Sequence, residues 1–101
     1  MTIYEHRVSV TTAAGAVATS TLFIPGGIGT QLLIRANTAT TLFRADLQDG
    51  NGVIRRHWGF HRGEINDTSD NIRFAFAGSY AVELSNASPN DTFTIILSLE
   101  E

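Results

Sequence analysis

The chain has 101 residues, a formal net charge of −3 and no cysteine, so a single domain over residues 1–101 is expected, with a core that needs no disulfide. Disulfides and Cys-based zinc or redox sites are excluded. All seven basic residues are Arg within an acidic total, which lacks the clustered positive charge that a nucleic-acid partner needs, and no apolar run is long enough to be a membrane-spanning helix.

Ala, Thr, Ile, Leu, Val, Phe and Gly dominate, a composition that favours strands over helices. The first strand is expected over Ile3–Thr11, with Tyr4, His6, Val8 and Val10 on one face. Thr12-Ala13-Ala14-Gly15 is a turn, and Ala16–Ile24 pairs most simply with the first strand as a hairpin. Pro25-Gly26-Gly27 stops it. A third strand runs over Thr30–Ala36 and a fourth over Thr40–Gln48, with Thr41, Phe43, Ala45 and Leu47 inward and Arg44 and Asp46 outward. Asp49-Gly50-Asn51-Gly52 is the strongest hairpin turn in the chain and suits type I′ geometry. The fifth strand covers Val53–Phe60 and alternation sets Ile54, Arg56, Trp58 and Phe60 on one side.

Residues 61–71 read as a long polar loop. A sixth strand follows at Ile72–Phe76 and Gly78 breaks it. The last quarter holds two alternating runs, Tyr80, Val82, Leu84 and Phe93, Ile95, Leu97, Leu99, around the turn formers Asn86–Asp91. They read as a terminal hairpin whose inner face is the centre of the core. Eight short strands with no helix of useful length indicate an all-β, two-sheet antiparallel β-sandwich of jelly-roll type.

Arg55-Arg56-His57-Trp58-Gly59-Phe60-His61-Arg62 interleaves basic and aromatic residues, as some single-strand nucleic-acid and sugar-binding faces do. A strand that packs its aromatics inward and shows its arginines to water explains it better. His57 and His61 share a strand face but stand roughly 13 Å apart, too far for one ion, so no metal site is expected with His6. Glu64, Asp67 and Asp70 suit a hard cation by chemistry, but their loop lacks the EF-hand pattern and reads as Asx-turns. No Gly-x-Ser-x-Gly elbow appears, and Gly26-Gly27-Ile28-Gly29 lies between strands rather than before a helix. Asn66-Asp67-Thr68, Asn86-Ala87-Ser88 and Asn90-Asp91-Thr92 match glycosylation sequons but read as turn chemistry. The N-terminus has neither a basic n-region nor an apolar h-region, so no signal peptide is expected. No catalytic residue and no cofactor emerge.

The Val8–Thr19 segment followed by Ile24-Pro25-Gly26-Gly27 resembles the opening of small β-sandwich virion proteins of tailed bacteriophages. The Asp49–Gly52 hairpin and the run from Gly78-Ser79-Tyr80 to Thr92-Phe93 are similar to the middle and end of such chains. The last hairpin also looks like the end of bacterial pre-peptidase jelly-roll domains. The phage resemblance implies a non-enzymatic capsid decoration or cement protein, or a head accessory. Such a protein is made in the host cytoplasm, localises to the virion and binds capsid protein. It also binds its own copies, with a trimer suggested by the local symmetry axes of capsids. Contact candidates are the outward apolar residues Leu33, Leu42 and Ile96, together with Arg44, Arg55, Arg56 and Arg62 as partners for capsid carboxylates. Trp58 joins this set and also separates it from the alternative, a carbohydrate-binding sandwich that stacks sugars on Trp58, Phe60 and Tyr80. Burial of Trp58 in the core or a subunit interface removes the sugar platform.

Overall fold

The computed structural model describes residues 3–24, 28–68 and 78–100. These form β1 (Ile3–Thr12), β2 (Val17–Ile24), β3 (Ile28–Ala36), β4 (Leu42–Gln48), β5 (Ile54–Arg62), β6 (Glu64–Asp67), β7 (Gly78–Asn86) and β8 (Asp91–Glu100). The expected sixth strand at 72–76 lies outside the described residues.

Two four-stranded antiparallel sheets result, in the orders β1-β8-β3-β6 and β2-β7-β4-β5. The pairings β4–β5, β3–β6, β2–β7 and β1–β8 nest one inside the next. The chain is thus one long antiparallel ribbon with the Asp49–Gly52 turn at its apex. Rolling that ribbon brings β8 beside β3 and β7 beside β4, which is a jelly roll. The apex turn is closed by Gly52 N–H on the Asp49 carbonyl, and Asp49 Oδ1 accepts from Asn51 N–H and Val53 N–H. Gly52 alone in the turn has a positive φ, +79°. Type I′ would need two such residues, so the turn is of the type I kind followed by a left-handed glycine.

The two local hairpins expected from turn chemistry do not form. β1 and β2 lie in different sheets, as do β7 and β8. Residues 13–16 and 87–90 are corners where the chain crosses from one sheet to the other. Corners and hairpins use the same turn residues, so the turn does not name the partner strand. The alternating faces themselves are as expected. Tyr80, Val82 and Leu84 of β7 and Phe93, Ile95, Leu97 and Leu99 of β8 are all buried, but they meet across the sandwich instead of side by side. Phe43 and Phe93 lock the two sheets edge to face at 4.9 Å, an arrangement that adds about 1 kcal/mol to their burial.

The first part of the expected 61–71 loop is structured. β5 continues to Arg62, Gly63 turns, and β6 pairs with β3 in the opposite sheet. Ile65 on β6 is 2% exposed and completes the core. Within β6 the polar Glu64 and Asn66 lie on the outer side of an edge strand, while Asp67 is buried.

Candidate functional site

The contact candidates do not share one surface: Leu33 and Ile96 lie on the outer face of one sheet and Leu42 and Arg44 on that of the other, while Trp58, expected in the contact set, is part of the buried core. Leu33 and Ile96 sit directly opposite each other across β3 and β8. Both point away from the core and are half-buried. Their row runs Arg7, Ile96, Leu33, Asn66 across all four strands of the sheet. Polar pairs frame it: Gln31 donates to Asn66 at 2.9 Å and Arg35 pairs with Glu64 at 2.8 Å. These surface pairs contribute at most about 1 kcal/mol each, but they hold the side chains around the apolar pair in a defined pattern.

Leu42 and Arg44 lie on the outer face of the other sheet, together with β5. Here β5 departs from simple alternation. Two register shifts against β4, near Phe43/Ala45 and Leu47/Gln48, each give β5 an extra residue. Ile54, His57 and Phe60 therefore share the outer face, while Arg56 and Trp58 turn toward the sandwich. Bulges of this kind are common on edge strands. Phe60, expected inside, is 58% exposed, with the Arg44 guanidinium 5.7 Å from its ring centroid. Gly59 within the strand pattern was the sequence signal for a bulge.

Trp58 is 4% exposed and its indole N–H donates to Asp67 Oδ2 at 2.7 Å. Arg56 Nε donates to the same oxygen at 3.1 Å. The buried Asp67 thus ties β6 to β5 across the sheet boundary. Replacing Trp58 with Phe should leave the fold intact but cost about 1–2 kcal/mol in urea denaturation, because the buried carboxylate loses a donor. Arg55 reaches Asp49 at the apex, at 2.8 Å. Backbone donation from Val53 holds the Asp49 carboxyl below its ordinary value, helped by Asn51 and Arg55 against a partial desolvation penalty. Arg62 donates to the Thr40 carbonyl at the corner end. There it stands between two clefts of about 370 and 340 Å³.

That corner end is pinned by two buried polar groups that the sequence did not single out. Asn86 Nδ2 donates to the Thr12 and Pro89 carbonyls, and its Oδ1 accepts from Ser88 N–H. Asp91 Oδ2 accepts from Thr41 Oγ1 at 2.6 Å and Thr38 N–H at 2.9 Å, and its Oδ1 accepts from Thr92 N–H. Both were visible only as turn formers.

Among the described residues no group of three His, Cys, Asp or Glu side chains is placed to hold a metal ion. His57 bonds Asp46 on the outer face, while His61 bonds the Gly59 carbonyl. Glu64 points outward to Arg35 and Asp67 inward to Trp58. The side chain of His6, and Asp70, lie outside the description.

No protein-family model matches the chain, and no curated protein matches it by sequence. Its fold does recur. The C-terminal domain of A223, a structural protein from Sulfolobus turreted icosahedral virus, aligns with a TM-score of 0.54 and 16% identity over 99% of this chain and 100% of its own. The SPBc2 prophage-derived protein YomS gives 0.53 and 13% over 94% and 95%. The CBM36-1 domain of a multidomain xylanase from the hindgut metagenome of Trinervitermes trinervoides gives 0.54 and 14% over 97% and 98%. At these identities the likeness shows a shared β-sandwich fold.

Proposed function

We propose that this chain is a non-enzymatic virion structural protein of phage type, a capsid decoration or cement protein held by the outer face of the β1-β8-β3-β6 sheet. The observation that carries the reading is the Leu33–Ile96 pair. Two large apolar side chains lie side by side on an outward sheet face, where a solvated strand would alternate to polar residues. An apolar centre with a polar rim containing Arg is the anatomy of a protein contact. The likeness to the C-terminal domain of a viral structural protein supports the same reading, as does a prophage-derived neighbour.

The carbohydrate reading has a neighbour in the CBM36-1 domain but loses two of its three stacking residues. Trp58 is buried with its N–H engaged and Tyr80 is buried as well, which leaves Phe60 as the one exposed ring of the three.

Ile96→Asp and Leu33→Asp test the contact. Both positions face outward, so thermal stability should change by no more than about 1 kcal/mol. Binding to purified particles should weaken about tenfold or more, as for a residue at the centre of an interface. Variants that fold normally and bind particles with unchanged affinity would remove this face from the contact.

A further inference from the structure

We propose that the free edge of β1 is a self-association edge, on which β1 of a second copy pairs antiparallel about a two-fold axis through His6. The pairing goes beyond the capsid contact and does not depend on it. The two lateral sides of the sandwich are built differently. On one side β5 carries two register shifts, β6 is four residues long, and Gly63 turns tightly between them. Short and bulged edges discourage further pairing. The core is sealed there, with Trp58 and Ile65 at 4% and 2% exposure. On the other side β1 runs for ten residues in unbroken register with β8 and has no second partner strand among the described residues. Val8 and Val10 pack against the core from this strand but are only partly buried. A long regular edge beside a half-covered part of the core is a site for an added strand.

The charges on β1 choose a second copy as that strand. Glu5 and Arg7 are its carboxylate and its guanidinium, both exposed and 3.6 Å apart. A two-fold axis normal to the sheet keeps outward residues outward, so opposed residues of the two copies share a face. Centred on Glu5 or on Arg7, that operation sets like charge on like charge. Centred on Val8, it sets Glu5 on Thr11 and Arg7 on Ser9. Only when centred on His6 does it set Glu5 of each copy on Arg7 of the other, and it does so twice. Opposite charges directly across an antiparallel pair stabilise it. Each carboxylate then lies between two guanidinium groups, its own neighbour's and the other copy's. The same register places residue 4 of one copy against the half-buried Val8 of the other. β2, the open strand of the other sheet on this side, carries no charged residue, so it cannot select a partner in this way. The operation also leaves the Leu33–Ile96 pairs of both copies on one side of a single eight-stranded sheet.

Light scattering should find twice the 10.9 kDa chain mass for the native chain. Glu5→Arg and Arg7→Glu, each with an unchanged thermal melt, should run at the single-chain mass, because each sets like charges together at both pairs. The double exchange Glu5→Arg/Arg7→Glu should restore the doubled mass, and so should an equimolar mixture of the two single variants. The mixture separates pairing between copies from the contact within each strand, since neither single variant keeps opposite charges at both positions. The absence of native cysteine allows a test of register. His6→Cys, at the axis, brings two thiols to a Cα separation of about 4.5–5.5 Å, within the reach of a disulfide. Thr11→Cys stands roughly 34 Å from its mate in the same register. Mild oxidation should therefore link the first variant and not the second. A native chain that stays monomeric at high concentration overturns the proposal. So does a three-chain particle, a single-charge variant that pairs as the native chain does, or oxidation of Thr11→Cys as fast as His6→Cys. Ile96→Asp should keep the doubled mass, and its loss of particle binding with the pair intact separates the capsid contact from this one.

Discussion

Gly63→Ala should destabilise the protein strongly. Gly63 has a φ of +79°, and a Cβ built there falls 2.5 Å from the Ala39 carbonyl oxygen. The left-handed backbone alone costs a non-glycine residue about 1–2 kcal/mol. The clash is with backbone, so no side chain can swing away to relieve it. Gly63 is also stitched on both sides, its N–H to the Thr41 carbonyl and its carbonyl to Ala36 N–H, each at 2.8 Å. Moving it pulls the β5–β6 corner off the β3–β4 corner. A loss of about 3 kcal/mol or more is expected, a drop of roughly 12 °C or more in Tm for a domain of this size. Gly59→Ala is the control. It has a free surrounding and an ordinary φ, so its melt should shift by less than about 0.5 kcal/mol. Equal effects at the two glycines would refute the corner account.

Asp91→Ala should come next, at about 2–4 kcal/mol. Asp91 is 7% exposed, and its removal leaves Thr38 N–H, Thr41 Oγ1 and Thr92 N–H without their acceptor. Its titration adds a pH signature. Burial pushes the carboxyl up, but donation from Thr41, Thr38 and Thr92 outweighs it, so the group lies below its ordinary 3.8. A depressed carboxyl stabilises the fold fully above the unfolded value and loses that contribution as pH falls through the folded one. Native stability should therefore fall below pH 3.8. Asp91→Asn should show a shallower fall over the same window in urea titrations. Identical slopes for the two proteins would mean that Asp91 does not link stability to acid.

Much of the architecture was legible because a strand's side chains alternate strictly. Phe93, Ile95, Leu97 and Leu99 could be assigned to the core without knowing which strand lies beside them. The pairing was not legible. The Asn86–Asp91 stretch has hairpin chemistry, yet it is a sheet-to-sheet corner, because the exposed backbone edges of β7 and β8 are matched by β2 and β4, and by β1 and β3, from far along the chain. β5 shows the second limit. Strict alternation places Phe60 beside Trp58 inside, whereas the one extra residue between Trp58 and His61 moves it to the surface. Only Gly59 hinted at that. The candidate site was half legible for the same reason. Leu33 and Ile96 lie on regular strands and were found as outward apolar residues, while the exposure of Phe60 emerged only with the register shift of β5. Asn86 and Asp91 read as turn formers because a sequence does not show that a polar side chain is buried.

The central claim is that the chain is a repeated component of a virus particle. The direct measurement is quantitative mass spectrometry of density-banded particles produced from the genome that carries this gene. The account predicts that the chain bands with the particles in many copies, in fixed ratio to the capsid protein, and that Ile96→Asp shifts it to the soluble fraction while the particles still form. A chain absent from washed particles, with the native protein wholly soluble beside assembled heads, would contradict it.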